Sequence, residues 1–503
     1  MEWSVLLSFY ACTGVVSWLL ILSFLRYLFC KLCLKPAGVP WELEKQHIRG
    51  PLPSFILGNI PEMEWIQSMA VKSLNSCKHF DPLPALDYSQ TLFPYFKHWT
   101  NQYGKTFFFR LGSVKLLYVA DPHLVKEVNI CKSLDLGKPV YLQKDRGPLL
   151  GKGLITTSGA VWSHQRRTIT PQLYMDKVKD IFNVIVESAG KLVKTWESMI
   201  ESEGGIADVR VDDYVRSYTT EIISKMMFGS DYGKGVEMRH KCKALIDAMA
   251  QPTILSGLPF ARLISSHQKE YGGLKLEKDI YSMIIDIARK HGQAKSGDLI
   301  DILKDGSKHG ELGPSTPDQF IVDNCKDVYL AAFEVTGIAA IWGLMLLAAH
   351  PEWQARARSE VLEVCGGHPL DANVLSKMKM RMVIQEVLRL YPGVAFASRQ
   401  ALEDVRIGKL LVPKGVCIWL WMPALHRDPE LWGPDADKFD PGRFANGVSG
   451  ACKSPQAYIP FGVGNPVCPG QYLAFTEMKV LFALVLSNFS LSLSPEYHHS
   501  PRL

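Results

Sequence analysis

The residue with the most distinctive chemistry in this sequence is Cys468, which lies in a glycine-rich loop before an apolar, helix-like segment. The loop reads Phe461-Gly-Val-Gly-Asn-Pro-Val-Cys468-Pro-Gly470, and its first two glycines permit backbone angles that other residues avoid. We expect the closing Pro-Gly pair to begin a helix, whose positive end favours the ionised form of the thiol. A thiolate is a strong ligand for haem iron, and Phe461 is placed to lie flat against a porphyrin. A small buried core cysteine is the alternative interpretation.

Further positions can supply donors to the carboxylates of such a cofactor. Trp162 and Arg166 are four residues apart, so both face the same side of a helix. The indole N–H and the guanidinium can then donate to a haem propionate, for which arginine has a matching planar geometry. Arg399 lies in a segment predicted to be extended, and we interpret it as a further propionate partner. The alternatives are a packed tryptophan beside a surface arginine, and a charge at the edge of a sheet.

A third group of charges can support the cysteine loop. Glu386 and Arg389 are three residues apart on a helix that ends before Pro392, which brings both charges onto one face. Arg443 lies in a proline-rich segment before the loop and can reach this pair. A buried network of this kind is stable only if each member is satisfied. The alternative is an ordinary surface ion pair.

These residues need a scaffold, and its clearest element is a long helix. Thr316 suits the N-cap, Pro317 the first helical position, and Gln319 completes a capping box. The helix can continue to His350, where Pro351 ends it, and its second half is apolar nearly all round. We therefore predict a buried central helix about 50 Å long.

The remainder of the chain reads as one large, mostly helical, haem-binding domain over residues 54–503, since no linker, repeat or low-complexity tract interrupts it. Strand-like segments at Thr106–Phe109, Leu116–Val119 and near Val412–Trp419 predict small sheets. The predicted fold class is therefore mainly α with small β-sheets (α+β).

An uncharged apolar run from Trp3 to Leu25 precedes this domain and is just long enough to cross a bilayer as one helix. Basic residues follow it, and the positive-inside rule then places the rest of the chain in the cytosol. We predict a retained transmembrane anchor over residues 1–34 and a stiff, proline-rich hinge over residues 35–53. No small-residue cleavage site stands out, which disfavours a cleaved signal peptide.

The composition excludes several classes of protein. The 503 residues are 47% hydrophobic, which is ample for a large core. The net charge of +6 is mild and no run of like charges suggests a nucleic-acid-binding arm, so we expect no nucleic-acid partner. The eleven cysteines are scattered and odd in number, which indicates a reducing compartment rather than a disulfide framework.

In this order, the Trp-x-x-x-Arg pair, the long helix, the Glu-x-x-Arg pair, a Phe-x-Pro-x-Arg-Phe segment and the cysteine loop resemble the cytochrome P450 haem-thiolate monooxygenases. The resemblance covers the whole domain and implies the P450 fold with bound haem. It implies that Cys468 is the axial iron ligand, that Glu386, Arg389 and Arg443 are a structural triad, and that Trp162, Arg166 and Arg399 contact the propionates. It also implies a small lipophilic substrate, NADPH supplied through a membrane-bound reductase, and a single-pass location in the endoplasmic reticulum membrane with the domain in the cytosol.

Local sequences narrow the resemblance to plant enzymes of clan 72. The segments Arg49–Asn59, Gln165–Arg167 and Val412–Asp435 are similar to that group. Within it the chain resembles family 714, the gibberellin-oxidising group. The implied substrate is a diterpenoid hormone acid such as a gibberellin.

The segment Ala331-Ala-Phe-Glu-Val-Thr336 departs from the family's oxygen-activating pattern. The family usually has glycine at the position of Ala332, which makes a groove for oxygen, and threonine at the position of Val335, whose hydroxyl assists proton delivery. Glu334 keeps the acid, and we interpret Glu334, Val335 and Thr336 as the catalytic positions. Thr336 is rotated by about 100° from Val335 around the helix axis, so its hydroxyl cannot replace the missing hydroxyl at position 335 without local unwinding of the helix. We expect residues 332–336 to flank the substrate pocket.

Three other departures leave alternatives open. Pro466 stands where the family usually has a basic propionate partner, Gly442 replaces a usual glutamate, and the chain ends at Leu503, before a strand hairpin that lines the pocket in family members. They motivate a second interpretation, a diverged or truncated haem-fold protein with little or no activity. The missing hydroxyl at Val335 motivates a third, a reductase-independent enzyme that rearranges hydroperoxides. We favour the first, a monooxygenase that inserts one oxygen atom from O2 into a lipophilic substrate.

Overall fold

The computed structural model describes most of the chain. The described residues are 17–24, 26–27, 42–54, 57–76, 88–131, 133, 135–250, 267–290, 297–366, 368–462, 464 and 467–497. Most of the predicted anchor, the first part of the predicted hinge, Pro466 and the last six positions lie outside them. Within the predicted anchor, residues 17–24 are helical and exposed.

Helices form most of the described body. They are α1 Ile60–Ser76, α2 Tyr88–Leu92, α3 Pro94–Tyr103, α4 Pro122–Ile130, α5 Val140–Leu150, α6 Gly159–Ile169, α7 Met175–Asp180, α8 Phe182–Ser202, α9 Val211–Phe228, α10 Gly233–Ala250, α11 His267–Lys290, α12 Leu299–Lys308, α13 Pro317–Leu330, α14 Thr336–Ala349, α15 Pro351–Cys365, α16 Ala372–Lys377, α17 Arg381–Leu390, α18 Met422–His426, α19 Pro429–Trp432, α20 Gly447–Ala451 and α21 Gln471–Asn488. Short 3-10 turns cover Thr170–Leu173, Gly229–Asp231, Pro441–Phe444 and Pro455–Ala457.

The strands form two small sheets beside the helices. They are β1 Thr106–Leu111, β2 Val114–Val119, β3 Leu136–Gly137, β4 Phe396–Ala401, β5 Val405–Ile407, β6 Leu410–Val412 and β7 Cys417–Trp421. The larger sheet has the order β1-β2-β7-β4-β3, in which β2 and β7 are parallel and the other pairs antiparallel. β5 and β6 form an antiparallel hairpin. The mainly α fold with small sheets is confirmed, and the third predicted strand region contains two strands, β6 and β7.

One long helix crosses the body from Pro317 to Ala349, as predicted. The N–H of Gln319 donates to Thr316 Oγ1 at 3.2 Å, and the N–H of Thr316 donates to Gln319 Oε1 at 3.3 Å, so the predicted capping box is present. The helix is not uniform, because a π turn over Ala331–Val335 separates α13 from α14. In the part of the chain that the structure describes, it is the one helix long and apolar enough to span a membrane, and 56% of its most apolar stretch is buried inside the protein.

The central helix is held from several sides by other helices. α9 and α21 both pack against α14, and their buried apolar side chains belong to the largest core cluster. At Gly343 the helices are so close that an added Cβ would lie 2.3 Å from Phe482 Cζ of α21. The helix that follows Cys468 is thereby fixed against the central helix.

Residues 42–53, the second part of the predicted hinge, lie against the sheets. Leu43 is fully buried in the core cluster that covers the larger sheet. The N–H of Phe108 in β1 donates to the carbonyl of Arg49 at 2.9 Å. The sheets and residues 42–53 therefore form one packed unit.

Candidate active site

The cysteine loop is closed by a backbone hydrogen bond and bent by two glycines. Gly462 and Gly464 have φ angles of 73° and 75°, which other residues adopt only with strain. The N–H of Cys468 donates to the carbonyl of Phe461 at 2.7 Å. α21 begins at Gln471 with Gly470 as its N-cap, so the helix starts at the end of the Pro-Gly pair, as expected. At this helix start the Gly470 N–H is directed towards the sulfur of Cys468.

Three influences act on the pKa of the Cys468 thiol. Burial raises this pKa, whereas the Gly470 N–H and the charge of Arg166 lower it. Burial is the largest of the three, so the end of the helix does not by itself ionise the thiol. A metal cation at the sulfur would displace the proton, because a coordinating thiol is deprotonated.

Three basic side chains gather beside the loop and form what we term the basic cluster: Lys138 between β3 and α5, Arg166 on α6 and Arg399 on β4. Arg166 Nη1 donates to the carbonyl of Val467 at 2.6 Å, and Arg399 Nη1 donates to the carbonyl of Ser398 at 2.8 Å. Within the described residues, none of the three forms an ion pair with a carboxylate. Loss of water and repulsion by Arg399 lower the pKa of Lys138 to about 8, and loss of water lowers that of Arg399 to about 10.

The predicted aromatic residues Trp162 and Phe461 are held by neighbouring side chains. Trp162 lies half-buried on α6, and the guanidinium carbon of Arg166 is 5.8 Å from the centre of its ring. The ring of Phe461 packs on Phe475 of α21, with centroids 5.5 Å apart and planes inclined by 38°. The predicted pairing of Trp162 with Arg166 on one helix face is therefore present in the fold.

The π turn presents small apolar side chains on an accessible face of the central helix. Ala331 is exposed although most of the helix is buried, and Ala332 and Val335 are half-buried. Phe333 is only 2% exposed and Thr336 only 8%. These two do not share the accessible face, contrary to the expectation that all of residues 332–336 flank a pocket, because successive helical residues point in different directions.

Val335 and Glu334 contact opposite neighbours of the π turn. A Cβ placed on Gly393, between α17 and β4, would lie 2.4 Å from Val335 Cγ1, so the central helix touches the segment that leads to Arg399. On the other side, Glu334 Oε1 forms an ion pair with Arg216 Nη1 of α9. The π turn is thus packed between α9 and the segment before β4.

Glu386 and Arg389 form a fully buried, two-point ion pair on α17. Arg389 Nε donates to Oε2 and Nη2 donates to Oε1 of Glu386, each at 2.7 Å. Arg389 also donates to the carbonyls of His426 at 2.7 Å, Ala436 at 2.5 Å and Lys438 at 3.0 Å. The interpretation as a surface ion pair is therefore wrong, since both side chains have no exposed area.

Arg443 adjoins this pair, as the sequence predicted. Its Nε lies 3.7 Å from Glu386 Oε1, and its Nη1 donates to the carbonyl of Trp432 at 2.7 Å and to Asp435 Oδ1 at 3.2 Å. The network therefore joins α17 to α19 and to the Pro441–Phe444 turn.

His426 connects the ion pair to the start of the cysteine loop. Its Nε2 accepts the N–H of Ile459 at 3.1 Å, so the proton of the neutral ring is on Nδ1, which donates to the carbonyl of Arg389 at 3.2 Å. Burial and the charge of Arg389 lower the pKa of His426 to about 3. The ring is therefore neutral at pH 7 and holds Ile459, two residues before Phe461.

The side chains of this site fit a haem group. Cys468 supplies a sulfur ligand of the type that iron binds. The basic cluster supplies cations that form no ion pair with any carboxylate of the described residues, which is what two propionates require. The accessible face at Ala331, Ala332 and Val335 carries no bulky side chain.

Comparison with known proteins agrees with this geometry. The family model described as Cytochrome P450 matches residues 79–502. The chain is also 45% identical over 480 residues to cytochrome P450 714C2 of Oryza sativa subsp. japonica, with 94% of this chain and 92% of the relative covered. The chain belongs to the cytochrome P450 family.

Other relatives of this cytochrome P450 come from two further plants. It is 40% identical to cytochrome P450 714B3 of Zea mays, over 95% of this chain and 90% of the relative. It is 39% identical to cytochrome P450 714A2 of Arabidopsis thaliana, over 92% and 89% respectively. The predicted resemblance to family 714 is confirmed.

The family establishes the cofactor and the class of reaction. This cytochrome P450 is a haem-thiolate monooxygenase, whose electrons come from NADPH through a partner reductase. When bound, a haem with a thiolate ligand activates dioxygen so that one oxygen atom enters the substrate. The first of the three interpretations is thereby supported over the inactive and the peroxide-rearranging ones.

Sequence reasoning missed Lys138, His426 and Asp327 as members of the site. Lys138 precedes a proline and carries no motif, whereas His426 lies in the segment Val412–Asp435, which contributed only to the family resemblance. Asp327 lies four residues before the π turn, and its Oδ2 accepts the N–H of Ile155 at 2.7 Å. Burial raises the pKa of Asp327 to about 8, so this carboxyl is largely neutral at pH 7 beside Lys138. No local signal separates Asp327 from the other charged residues of α13, which include Asp323 and Lys326.

Replacing His426 should change how stability depends on pH. Its pKa is about 3 in the folded protein, against 6.5 for a free histidine, so below pH 6.5 the unfolded chain binds a proton that the folded chain does not. The wild-type protein should therefore lose about 1.4 kcal/mol of unfolding free energy per pH unit below 6.5, relative to His426→Gln. Urea unfolding at pH 7.5, 6.0 and 5.0 measures the difference.

The exposed His123 provides the matched control for this experiment. His123→Gln should keep the pH dependence of the wild-type protein. Equal slopes for the wild type and His426→Gln would show that His426 is not held neutral by the fold.

Proposed function

We propose that this cytochrome P450 oxidises a diterpenoid acid, such as a gibberellin, at a C–H or C=C bond. One observation carries the proposal: a cysteine loop, a basic cluster that has no carboxylate partner in the described part of the chain, and an accessible apolar helix face come together in one site. The local motifs that resemble the gibberellin-oxidising group support the class of substrate.

We assign the cofactor contacts as follows. Cys468 would supply the thiolate that holds the iron, and Phe461 would border the porphyrin. Trp162, Arg166, Arg399 and, in addition, Lys138 bind the propionates. The assignment of Lys138 rests on its place between Arg166 and Arg399, whose charges both act on it.

Within the π turn, we assign some side chains to the wall of the substrate pocket and one side chain to proton transfer. Ala331, Ala332 and Val335 form a dry wall for a lipophilic substrate, since none carries a polar group. Glu334 is the one protic side chain of the turn, so protons that pass along it move through the Glu334 carboxylate. Thr336 is buried behind it and has the nearest hydroxyl of α14.

The balanced reaction defines how the efficiency of NADPH use is measured. Productive turnover converts R–H, O2, NADPH and H⁺ into R–OH, H2O and NADP⁺. When a proton arrives at the wrong oxygen, O2, NADPH and H⁺ give H2O2 and NADP⁺ with no product. The ratio of product to NADPH consumed therefore reports on proton placement by the side chains of the π turn.

We also propose a membrane location for the chain. Residues 1–34 anchor it in the endoplasmic reticulum membrane by a single span, and residues 35–53 link that span to the catalytic domain, 54–503, in the cytosol. The support is the apolar run from Trp3 to Leu25 with basic residues after it. The reductase that supplies electrons then lies in the same membrane.

Turnover by membranes that contain the full chain and a plant reductase tests the proposed substrate. Gibberellin-type diterpenoid acids should give an oxygenated product that depends on NADPH, and the mass should rise by one oxygen atom. Product from fatty acids but not from diterpenoid acids would overturn the substrate class. Product from a hydroperoxide without NADPH would favour the peroxide-rearranging alternative.

Removal of the Lys138 charge should loosen the cofactor. Lys138→Met keeps the length of the side chain but removes a charge-assisted bond to a propionate, which is worth about 1.5–3 kcal/mol. Haem transfer from the purified protein to an excess of apomyoglobin should become about tenfold faster or more. The exposed Lys152 gives the control, since Lys152→Met should lose haem at the wild-type rate. Identical rates for all three proteins would contradict the role of Lys138.

A hydroxyl at position 335 should improve the use of NADPH. Val335→Thr adds the missing donor with little change in volume, so the tight contact with Gly393 is kept. We expect the ratio of product to NADPH to rise at least about twofold, with a matching fall in H2O2. Val335→Ala is the control, because it removes volume without adding a hydroxyl and should not raise the ratio. An unchanged ratio in Val335→Thr would show that the hydroxyl is not limiting.

A further inference from the structure

The π turn of the central helix forms a hydrogen bond with the neighbouring helix α9. A π turn departs from the regular pattern of backbone bonds, and such turns persist where the surroundings hold them. The hydroxyl of Thr219 on α9 donates to the carbonyl of Phe333 in the turn at 2.9 Å. The N–H of Thr336 donates to the same carbonyl, so a wide turn is followed at once by a tight one.

Thr219 has little freedom to bond elsewhere. It is 1% exposed, and the carbonyls of Val215 at 3.3 Å and Arg216 at 3.2 Å are more distant than that of Phe333. A hydroxyl has one proton to donate, so the Phe333 carbonyl is the best-placed acceptor. The contact is part of the packing of α9 on the central helix: a Cβ added to Gly337 would lie 3.4 Å from Thr219 Oγ1.

One turn of α9 places a second contact beside the first. Arg216, three residues before Thr219, forms the ion pair with Glu334. The two side chains of α9 therefore hold consecutive residues of the π turn, one by its backbone and the other by its carboxylate. Val335, the next residue, is pressed from the opposite side by the segment at Gly393.

We propose that Thr219 is a positioning residue, whose hydroxyl holds the π turn and thereby fixes the direction of the Glu334 carboxylate. Arg216 also restrains that carboxylate, because it forms an ion pair with it. The proposal rests on the proposed function, in which Glu334 is the protic side chain of the turn. It adds two residues of α9 that do not lie on the accessible apolar face and that act on the reaction through Glu334.

Thr219→Val and Thr219→Ser in the full-length, haem-loaded protein test this proposal. Valine matches threonine in volume but has no hydroxyl, and serine restores the hydroxyl. In Thr219→Val, amide hydrogen exchange over residues 331–341 should become about fivefold faster, the factor that corresponds to one ordinary hydrogen bond. The ratio of product to NADPH should fall at least about twofold with unchanged substrate affinity. Thr219→Ser should restore both values.

Thr220 provides the matched control on the same helix. It is buried like Thr219, but its hydroxyl donates to the Arg216 carbonyl of α9 itself at 2.6 Å. Thr220→Val should leave the exchange of residues 331–341 and the product ratio at their wild-type values. Equal effects of Thr219→Val and Thr220→Val would overturn the proposal, because they would indicate a general loosening of α9.

The remaining outcomes separate this proposal from the proposed function. Wild-type hydrogen exchange and a wild-type ratio of product to NADPH in Thr219→Val would overturn the role of Thr219. Faster exchange with an unchanged ratio would overturn its effect on the reaction. If the wild-type protein gave no NADPH-dependent product, the proposed function would be overturned, while the exchange measurement would still test the hydrogen bond between Thr219 and Phe333. If Thr219→Val does not accumulate, Thr219→Ala removes the same hydroxyl, and wild-type exchange in that variant would overturn the proposal.

Discussion

The buried ion pair between Glu386 and Arg389 is the interaction on which the position of the cysteine loop depends. Two charges without exposed area are stable only when their remaining donors and acceptors are satisfied. Arg389 meets this condition by donating to the carbonyls of His426, Ala436 and Lys438. These bonds fix the position of the segment between α18 and the loop relative to the Arg389 guanidinium. His426 then passes the constraint to Ile459. The sulfur of Cys468 is thus held by a chain of polar contacts that begins on α17.

The basic cluster adds an electrostatic condition to this scaffold. Arg399 and Arg166 both repel the charge of Lys138, and loss of water makes the charged forms of all three less favourable, as their lowered pKa values show. A dianionic cofactor relieves the repulsion, because each propionate replaces lost water with a charge-assisted bond. Binding of haem and stability of the fold are therefore coupled, since a ligand that binds only the folded state stabilises it.

The sequence predicted the parts of the site that depend on local pattern. The capping box at Thr316 and Gln319 follows from residue spacing, and so does the common helix face of Glu386 and Arg389. Burial of that pair could not be read from spacing, because it depends on α17 being covered by the segment after β7. Lys138 was missed for a similar reason: its charge matters only where β3 brings it beside Arg399. Roles for the cysteine loop came from the family resemblance, and the family is confirmed.

The π turn is another feature that could not be predicted from the sequence alone. The sequence indicates a continuous apolar helix, and its departures at Ala332 and Val335 suggest weakened oxygen chemistry. In the fold, Thr219 and Arg216 of α9 contact the turn, although the two segments are more than a hundred residues apart in the sequence. Local unwinding is therefore present, and Thr336 remains buried beside it.

The most direct test of the account is a carbon monoxide difference spectrum of the reduced, membrane-expressed protein. We predict the strongly red-shifted Soret band of a thiolate-ligated haem, because Cys468 supplies the sulfur and the basic cluster holds the propionates. Cys468→Ser should lose this band. A band at the position typical of histidine or protonated-thiol ligation, or no band at all, would contradict the claim that this loop holds a haem through a cysteine thiolate.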